Sequence, residues 1–261
     1  FFPITAAREM YEPFHKLKYS FAATYYDQMR TALPKMVKDK GAKKVCTIYQ
    51  DDDFGLEVMR GAEAGLKTLN MELAEKTSYK RGATDFSSQV AKMKASGCDL
   101  VVLGTIIRET IGTIGEARKT GFNPTFFGSS AAYTDLIHKL GGKPMDGLYA
   151  TMTVQHPYLD EASQPIRFWA NKYKTKFNED PTVFSVYGYD IIDAIVRATQ
   201  KAGANLTTDT FIKAMDTMVI PPDLFGSAES TFSPTKRLGS EVSRLSQIQD
   251  GKWKVVSDYV K

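Results

Sequence analysis

Between Ala42 and Tyr149, short β-branched apolar runs alternate with stretches whose apolar residues recur every three to four positions. That alternation is the pattern of strand–helix units around a parallel sheet. Lys43 to Tyr49 (KKVCTIY) predicts a buried strand, followed by DDDFG and a helix with Met59, Ala62, Leu66 and Leu69 on one face. A weaker strand is expected from Glu72 to Tyr79, then a helix carrying Phe86, Val90 and Met93, capped by Thr84 or Asp85. Asp99 to Gly104 (DLVVLG) is the clearest strand; its helix aligns Ile111, Ile114 and Ala117 and stops at Gly121. Thr125 to Gly128 and Tyr149 to Val154 complete the strands of this stretch.

Beyond Pro157 the period becomes helical. Ile166, Trp169, Ala170, Tyr173 and Phe177 line one face, Tyr189, Ile192, Ile195 and Ala198 a second, and Phe211, Ile212 and Met215 a third. The C-terminal SQIQDGKWKVVSDY reads as a hairpin turning at Asp250-Gly251. At the other end, FFPIT reads as a strand and Tyr26 to Lys38 as a helix with Met29, Leu33 and Met36 to bury. This βα piece has no strand partners nearby in sequence.

The 261 residues suit one large domain or two ordinary ones, and 43% hydrophobic with 25% charged residues excludes disorder and collagen-like chains. Lys+Arg 34 against Asp+Glu 30 gives +4, with no basic run that would mark a nucleic-acid arm. The longest apolar runs, such as LVVLG, are too short to span a bilayer. Cys46 and Cys98 cannot build a disulfide scaffold or a four-cysteine zinc site. They are expected as two buried thiols, because neighbouring-strand geometry seldom suits a disulfide. The chain opens on Phe1 without a leader pattern, so either processing removed a leader or the chain is a piece of something longer.

Catalytic signatures are missing: there is no GxSxG, HExxH, Walker loop or GxGxxG, and His15, His138 and His156 show no partner spacing. No metal or cofactor is expected. Asp51-Asp52-Asp53 at a strand end has two readings, a Mg²⁺ site for phosphoryl transfer or a solvated loop whose last carboxylate sits at a helix N-terminus; the second is the more economical. In open α/β sheets small molecules sit outside the carboxyl ends of the strands, so DDDFG, TIIRE and GSSAAY are the loops expected to face a ligand.

GAKKVCTIYQDDDFG, GATDFSSQVAKMK, DLVVLGTIIRETIGTIGEARKTG, FFGSS, YDIIDAIVRATQKAG, TFSPTKR and QIQDGKWK together resemble, in order and over nearly the whole chain, the periplasmic solute-binding proteins of branched-chain amino acid type ABC transporters. The resemblance implies a type I periplasmic-binding fold. Each of its two α/β lobes is a parallel sheet flanked by helices; three crossings join the lobes, and a ligand is held in the cleft by hinge closure. Residues 42–152 and 243–261 would form the C-terminal lobe, and residues 1–41 and 153–242 the remainder of the N-terminal one. Hinges would fall near Lys40 to Ala42, Met152 to Gln155 and Glu241 to Ser243. The first lobe would be incomplete: the family begins with several βα units before the segment resembling FFPITAAR, and at about 30 residues per unit on the order of 100 residues are missing.

Carried over residue by residue, the resemblance places Ala7, Arg8, Tyr26, Asp27, Phe54, Ile106, Ile107, Arg108, Ser129 and Ser130 at the ligand. Amino-acid-binding members carry an acidic residue where Ser130 stands and a Tyr near Ile106 and Ile107. A buried ammonium would go uncompensated here, which disfavours an α-amino acid and favours an aromatic or aliphatic carboxylate. Arg108 or Arg8 could receive its charge, Phe54 would pack on its body, and Tyr26 and Asp27 are weaker candidates. The resulting expectation is a non-enzymatic, periplasmic binding protein that delivers a small organic acid to an ABC permease, without inserting into the membrane or binding nucleic acid. Alternatives are a ligand-sensing receptor or regulator domain of the same fold, a binder of branched-chain amino acids or amides, and a Mg²⁺-dependent phosphoryl-transfer enzyme using Asp51 to Asp53.

Overall fold

Residues 1–261 are described by a computed structural model. By compactness the chain divides into two units, Phe1–Ala23 with Thr153–Glu241, and Thr24–Met152 with Val242–Lys261. The first boundary therefore lies after Ala23 and not after Gly41, so residues 24–41 belong with the second unit. Lys40 to Ala42, expected as a hinge, is a turn inside that unit.

Residues 1–23 hold one 3₁₀ turn, Arg8–Met10, and an isolated parallel bridge from Ser20 to Leu238, with no helix or strand of their own. The strand expected at FFPIT is not formed: the Phe2 N–H donates to Tyr19 O at 2.8 Å, but no ladder develops around it. Helix α1 (Tyr25–Lys40) follows, with Thr24 Oγ1 accepting from the Asp27 N–H. Then come β1 (Val45–Gln50), α2 (Asp53–Lys67), β2 (Leu73–Tyr79), α3 (Ser87–Ala95), β3 (Leu100–Gly104), α4 (Ile107–Lys119), β4 (Thr125–Gly128), α5 (Asp135–Gly141) and β5 (Tyr149–Met152). The periodicity missed α5, a short element. The end of α4 is as expected, with Gly121 just beyond its C-cap at φ 72°. Phe86 holds the N-cap position of α3 without a side-chain bond, while Asp85 Oδ1 accepts from the Ser87 N–H. The chain continues through α6 (Gln164–Phe177), α7 (Val183–Ala202), α8 (Thr208–Thr217), β6 (Val219–Ile220), β7 (Ser230–Thr231), β8 (Arg244–Gln249) and β9 (Lys252–Val255).

In the second unit seven strands form one mixed sheet in the order β2-β1-β3-β4-β5-β8-β9. The first five are parallel; β8 and β9 are antiparallel additions closed by Asp250 and Gly251, both at positive φ, 50° and 70°. Helix α1 is no orphan: its buried Met29, Leu33 and Met36 join Val58, Ala62 and Leu66 of α2 and Val45, Leu100 and Val102 of the sheet in one core. Burial of each large side chain contributes roughly 1.5–3 kcal/mol. The two helices approach closely because of Gly61 and Gly65. A Cβ at Gly61 would stand 2.4 Å from Tyr26 O, and one at Gly65 3.0 Å from Arg30 O. Pro34, four residues after Arg30, lacks the N–H that would otherwise take that carbonyl, and the bare Gly65 lies against it.

Cys46 and Cys98 form a disulfide, contrary to the expectation of two thiols. Cys98 lies before β3 and not within it, and the turn there brings the two Cα atoms to 5.9 Å, inside the range the bond requires.

The first unit has no parallel sheet, only the antiparallel ribbon β6–β7, because the chain supplies no further strand there. Its core gathers Phe2, Tyr19, Ala194, Ala198, Met215, Met218 and Phe232. Arg237 is buried, donating to Asp216 Oδ1 at 2.9 Å and lying over the Tyr19 ring. Burial pushes the Tyr19 hydroxyl up to about 12, keeping it a neutral donor to Asp216. The helix faces expected to be buried are covered only in part: Ile166, Ala170 and Ala198 are buried, but Phe177, Tyr189 and Ile192 are exposed. Phe177 and Tyr189 touch neighbouring rings, those of Tyr173, Trp169 and Phe225, which leave much of each side chain uncovered.

On α7, Asp190 lies against Asp223, and its Oδ2 is buried with no donor facing it. Burial first, then the hydrogen bond with Asp223 and the charges of Asp223 and Asp193, push the Asp190 carboxyl up to about 9. A proton on the Asp190 carboxyl lets it donate to Asp223.

Two outcomes are expected. Replacing both cysteines by serine should cost about 2–4 kcal/mol by freeing a loop of some 50 residues in the unfolded chain, measured as a lower denaturation midpoint that dithiothreitol does not lower further. Asp190 is protonated when folded and ionised when unfolded between its ordinary carboxylate range and pH 9, so wild-type stability falls as pH rises through that window. D190N removes this fall. Its advantage over wild type should grow from pH 5 to pH 8 by up to about 1.4 kcal/mol per pH unit, and a pH-independent difference would contradict a protonated Asp190.

Candidate functional site

Parallel pairing decides where the loops go. Tyr49 lies opposite Gly104, Gln50 opposite Tyr79, and Leu103 opposite Gly128. The segments after β1, β2, β3 and β4 therefore emerge side by side at one edge of the second unit's sheet, the edge where open α/β sheets bind small molecules.

The acidic run after β1 is neutralised locally. Asp51 pairs with Lys80 at 2.5 Å. Asp52 is the N-cap of α2, accepting from the Gly55 N–H, from Gln50 Nε2 and from Arg81 Nη2 at 3.0 Å. Partial burial raises the Asp52 carboxyl, but the hydrogen bonds from Arg81, Gly55 and Gln50 outweigh it and hold the group below its ordinary range. The helix-capping carboxylate is thus Asp52, one residue earlier than the last of the run, and Asp53 opens the helix. No group of three or more His, Cys, Asp or Glu stands together in a way that could hold a metal ion.

After β3 the rim turns apolar and then cationic. Ile106 and Ile107 are half-buried, and α4 starts without a side-chain cap, so its first N–H groups are left to other acceptors. Arg108, in that first turn, is exposed and has no hydrogen-bond or ion-pair partner. A helix N-terminus and an unpaired guanidinium both favour an anion. Beside it Glu109 is buried, again with no hydrogen-bond or ion-pair partner.

After β4, Ser129 is buried and its Oγ accepts from the Ala131 N–H. Ser130 is half-buried and tied to Gln28 of α1: Ser130 N–H donates to Gln28 Oε1 at 2.8 Å, and Gln28 Nε2 donates to Ser130 Oγ at 2.9 Å. Thr151, at the end of β5, donates to the same Oε1 at 2.7 Å. Tyr79 is buried, donating to Gly104 O, and burial pushes its phenol up.

Of the sequence-derived residues, eight lie in the second unit and two, Ala7 and Arg8, in the first. The register brings Phe54, Ile106, Ile107, Arg108, Ser129 and Ser130 to the one edge. Phe54 also packs edge-on to Tyr25 at 5.0 Å and joins the core. Tyr26 is half-buried in the first turn of α1. Asp27 is committed to that helix start: its carboxylate accepts from Thr24 Oγ1 at 2.8 Å and from Arg30 at 3.1 Å. Ala7 immediately precedes the 3₁₀ turn that holds the half-buried Arg8. Sequence reasoning missed Gln28 and Glu109. A glutamine among Met29, Ala32, Leu33 and Met36 on a buried stripe was the available signal for the first. Glu109 looked like an ordinary first-turn acid.

The sequence profile of the periplasmic binding protein family matches residues 5–252. The Leu/Ile/Val-binding protein homolog 8 of Brucella melitensis is 23% identical over 227 residues, 84% of this chain and 55% of that protein. An amino acid binding protein of Pseudomonas aeruginosa is 25% identical over 167 residues, 63% of this chain and 43% of the relative. The chain thus spans about half the length of these curated relatives. Among solved structures, a substrate-binding periplasmic protein from Ralstonia solanacearum superposes with a TM-score of 0.81 at 20% identity, covering 98% of this chain and 72% of the other. A branched chain amino acid ABC transporter protein from Thermus thermophilus with bound valine gives 0.82 at 17% identity, covering 99% and 71%. These likenesses establish the fold.

Asp52→Ala should cost about 1 kcal/mol through loss of the cap. Because the folded Asp52 carboxyl lies below its unfolded value, its contribution is present above the ordinary carboxylate range and fades as pH falls through the folded value. The gap between the two proteins in denaturant midpoint should therefore be full at pH 7 and shrink toward pH 3.

Proposed function

We propose, from the premise that the chain belongs to the periplasmic binding protein family, that it is the ligand-binding component of an ABC importer and takes a small organic acid at the strand-end rim of its second unit. The family is extracytoplasmic and its members here are solute-binding proteins. No helix is long and apolar enough to cross a membrane. The periplasm is the compartment this reading assigns, and an inner-membrane permease the partner.

One observation carries the ligand class: Arg108 stands unpaired at the uncapped start of α4, next to the apolar Ile106 and Ile107, while the Asp51 and Asp52 carboxylates of the same rim are already neutralised. An anionic end would meet the guanidinium and free N–H groups, and an aromatic or aliphatic body would lie against the isoleucines. Phe54, Ser129 and Ser130 share the edge, Tyr26 and Asp27 are the further candidates of the same unit, and Ala7 and Arg8 are candidates carried by the first unit. A second reading, a binder of branched-chain amino acids, is favoured by Glu109, whose unpaired carboxylate could receive an ammonium, and by the names of the relatives.

Titration calorimetry separates the two. Benzoate, cinnamate or a short fatty acid should give heat, and Arg108→Ala should weaken binding about 10- to 100-fold, the equivalent of a charge-assisted hydrogen bond. Heat with leucine alone, abolished by Glu109→Gln and unaffected by Arg108→Ala, would assign the amino-acid reading instead.

A further inference from the structure

The polarity of the Ser130 hydroxyl can be read from its surroundings. A backbone N–H can only donate, so the 2.8 Å contact from Ser130 N identifies the Gln28 side-chain atom it meets as the carbonyl oxygen. The Thr151 hydroxyl shares that oxygen at 2.7 Å. The amide orientation is thereby fixed, and Nε2 is the atom 2.9 Å from Ser130 Oγ. An amide nitrogen has only protons to offer, so Ser130 Oγ accepts there. Its single proton must point elsewhere, and no protein acceptor receives it. Gln28 itself is 1% exposed, held by α1 against the ends of β4 and β5, so it cannot turn over to exchange its two ends.

We infer that Gln28 is a positioning residue which presents Ser130 as a hydrogen-bond donor to the bound ligand, so that this point of the rim selects an acceptor such as a carboxylate or amide oxygen over an ammonium. An ammonium carries three donors and no acceptor; it would leave the Ser130 proton without a partner in a half-buried place. Donation into Ser130 Oγ from Nε2 also polarises the hydroxyl, strengthening the bond it gives. Arg108 supplies charge without telling one oxygen acceptor from another, whereas the Gln28–Ser130 pair supplies direction. The inference rests on the organic-acid reading above.

The test uses three small benzene derivatives, benzoate, benzamide and benzylamine, titrated into the full chain. Ser130→Ala should weaken benzoate and benzamide about tenfold. Gln28→Glu is isosteric and keeps acceptors toward Ser130 N and Thr151, but places an acceptor opposite Ser130 Oγ that takes up the free proton. It should weaken benzamide, which is uncharged, as much as Ser130→Ala does, and the double variant should be no weaker than either single one. Unchanged benzoate and benzamide affinity in Ser130→Ala, with wild type binding benzoate, overturns the inference and leaves the organic-acid reading standing. So does additive loss in the double variant. If wild type binds leucine or benzylamine and no acid or amide, the organic-acid reading fails and the inference fails with it. Thermal midpoints of the variants show whether each is folded; should Gln28→Glu not fold, Ser130→Ala against benzamide decides alone.

Discussion

Parallel strands paired side by side must all point the same way, and this constraint organises the second unit. Because β2, β1, β3 and β4 pair in parallel with Gln50, Tyr79, Gly104 and Gly128 near their ends, four loops far apart in sequence become neighbours along one edge. Backbone hydrogen bonds set that geometry; the loop residues then vary without disturbing it. Helix α1 depends on the same frame. Its close seat on α2, made possible by the missing side chains of Gly61 and Gly65, carries Gln28 to the ends of β4 and β5.

Charge along the edge is sorted by what each group has nearby. The acidic run after β1 finds Lys80 and Arg81 from the end of β2, and a helix N-terminus as well, so its negative charge is largely spent within the loop. Arg108 has no such neighbour and remains available at the start of α4, while Glu109 in the same turn is buried. The rim therefore offers the unpaired Arg108, an apolar step at Ile106 and Ile107, and a serine hydrogen-bonded to Gln28 of α1.

In the first unit, three helices and a two-stranded ribbon surround an aromatic core, yet Phe168, Phe177, Phe184 and Ile192 stay at the surface. Periodicity located α6 and α7 correctly but overstated how much of each face is covered. A helix shows in sequence which side would be buried if something lay against it, not whether anything does. FFPIT failed as a strand for the related reason that a β-branched or aromatic run becomes a strand only when another backbone accepts its hydrogen bonds.

Apart from the short α5, the strand–helix alternation from Val45 to Met152, the hairpin at Asp250-Gly251 and the strand-end loops were legible in the chain, because local patterns of burial and turn chemistry are written residue by residue. The membership of residues 24–41 in the second unit was not, since it depends on two glycines in α2 that make room for a helix earlier in sequence. The Cys46–Cys98 disulfide was equally hidden: it depends on a few ångströms of backbone placement at the turn before β3. Most of all, the sequence determined which polar residues the site could use, but only tertiary structure decided which of them are already occupied. Asp52 and Ser130 each have a partner from elsewhere in the chain, Arg81 and Gln28, that only the fold brings to them.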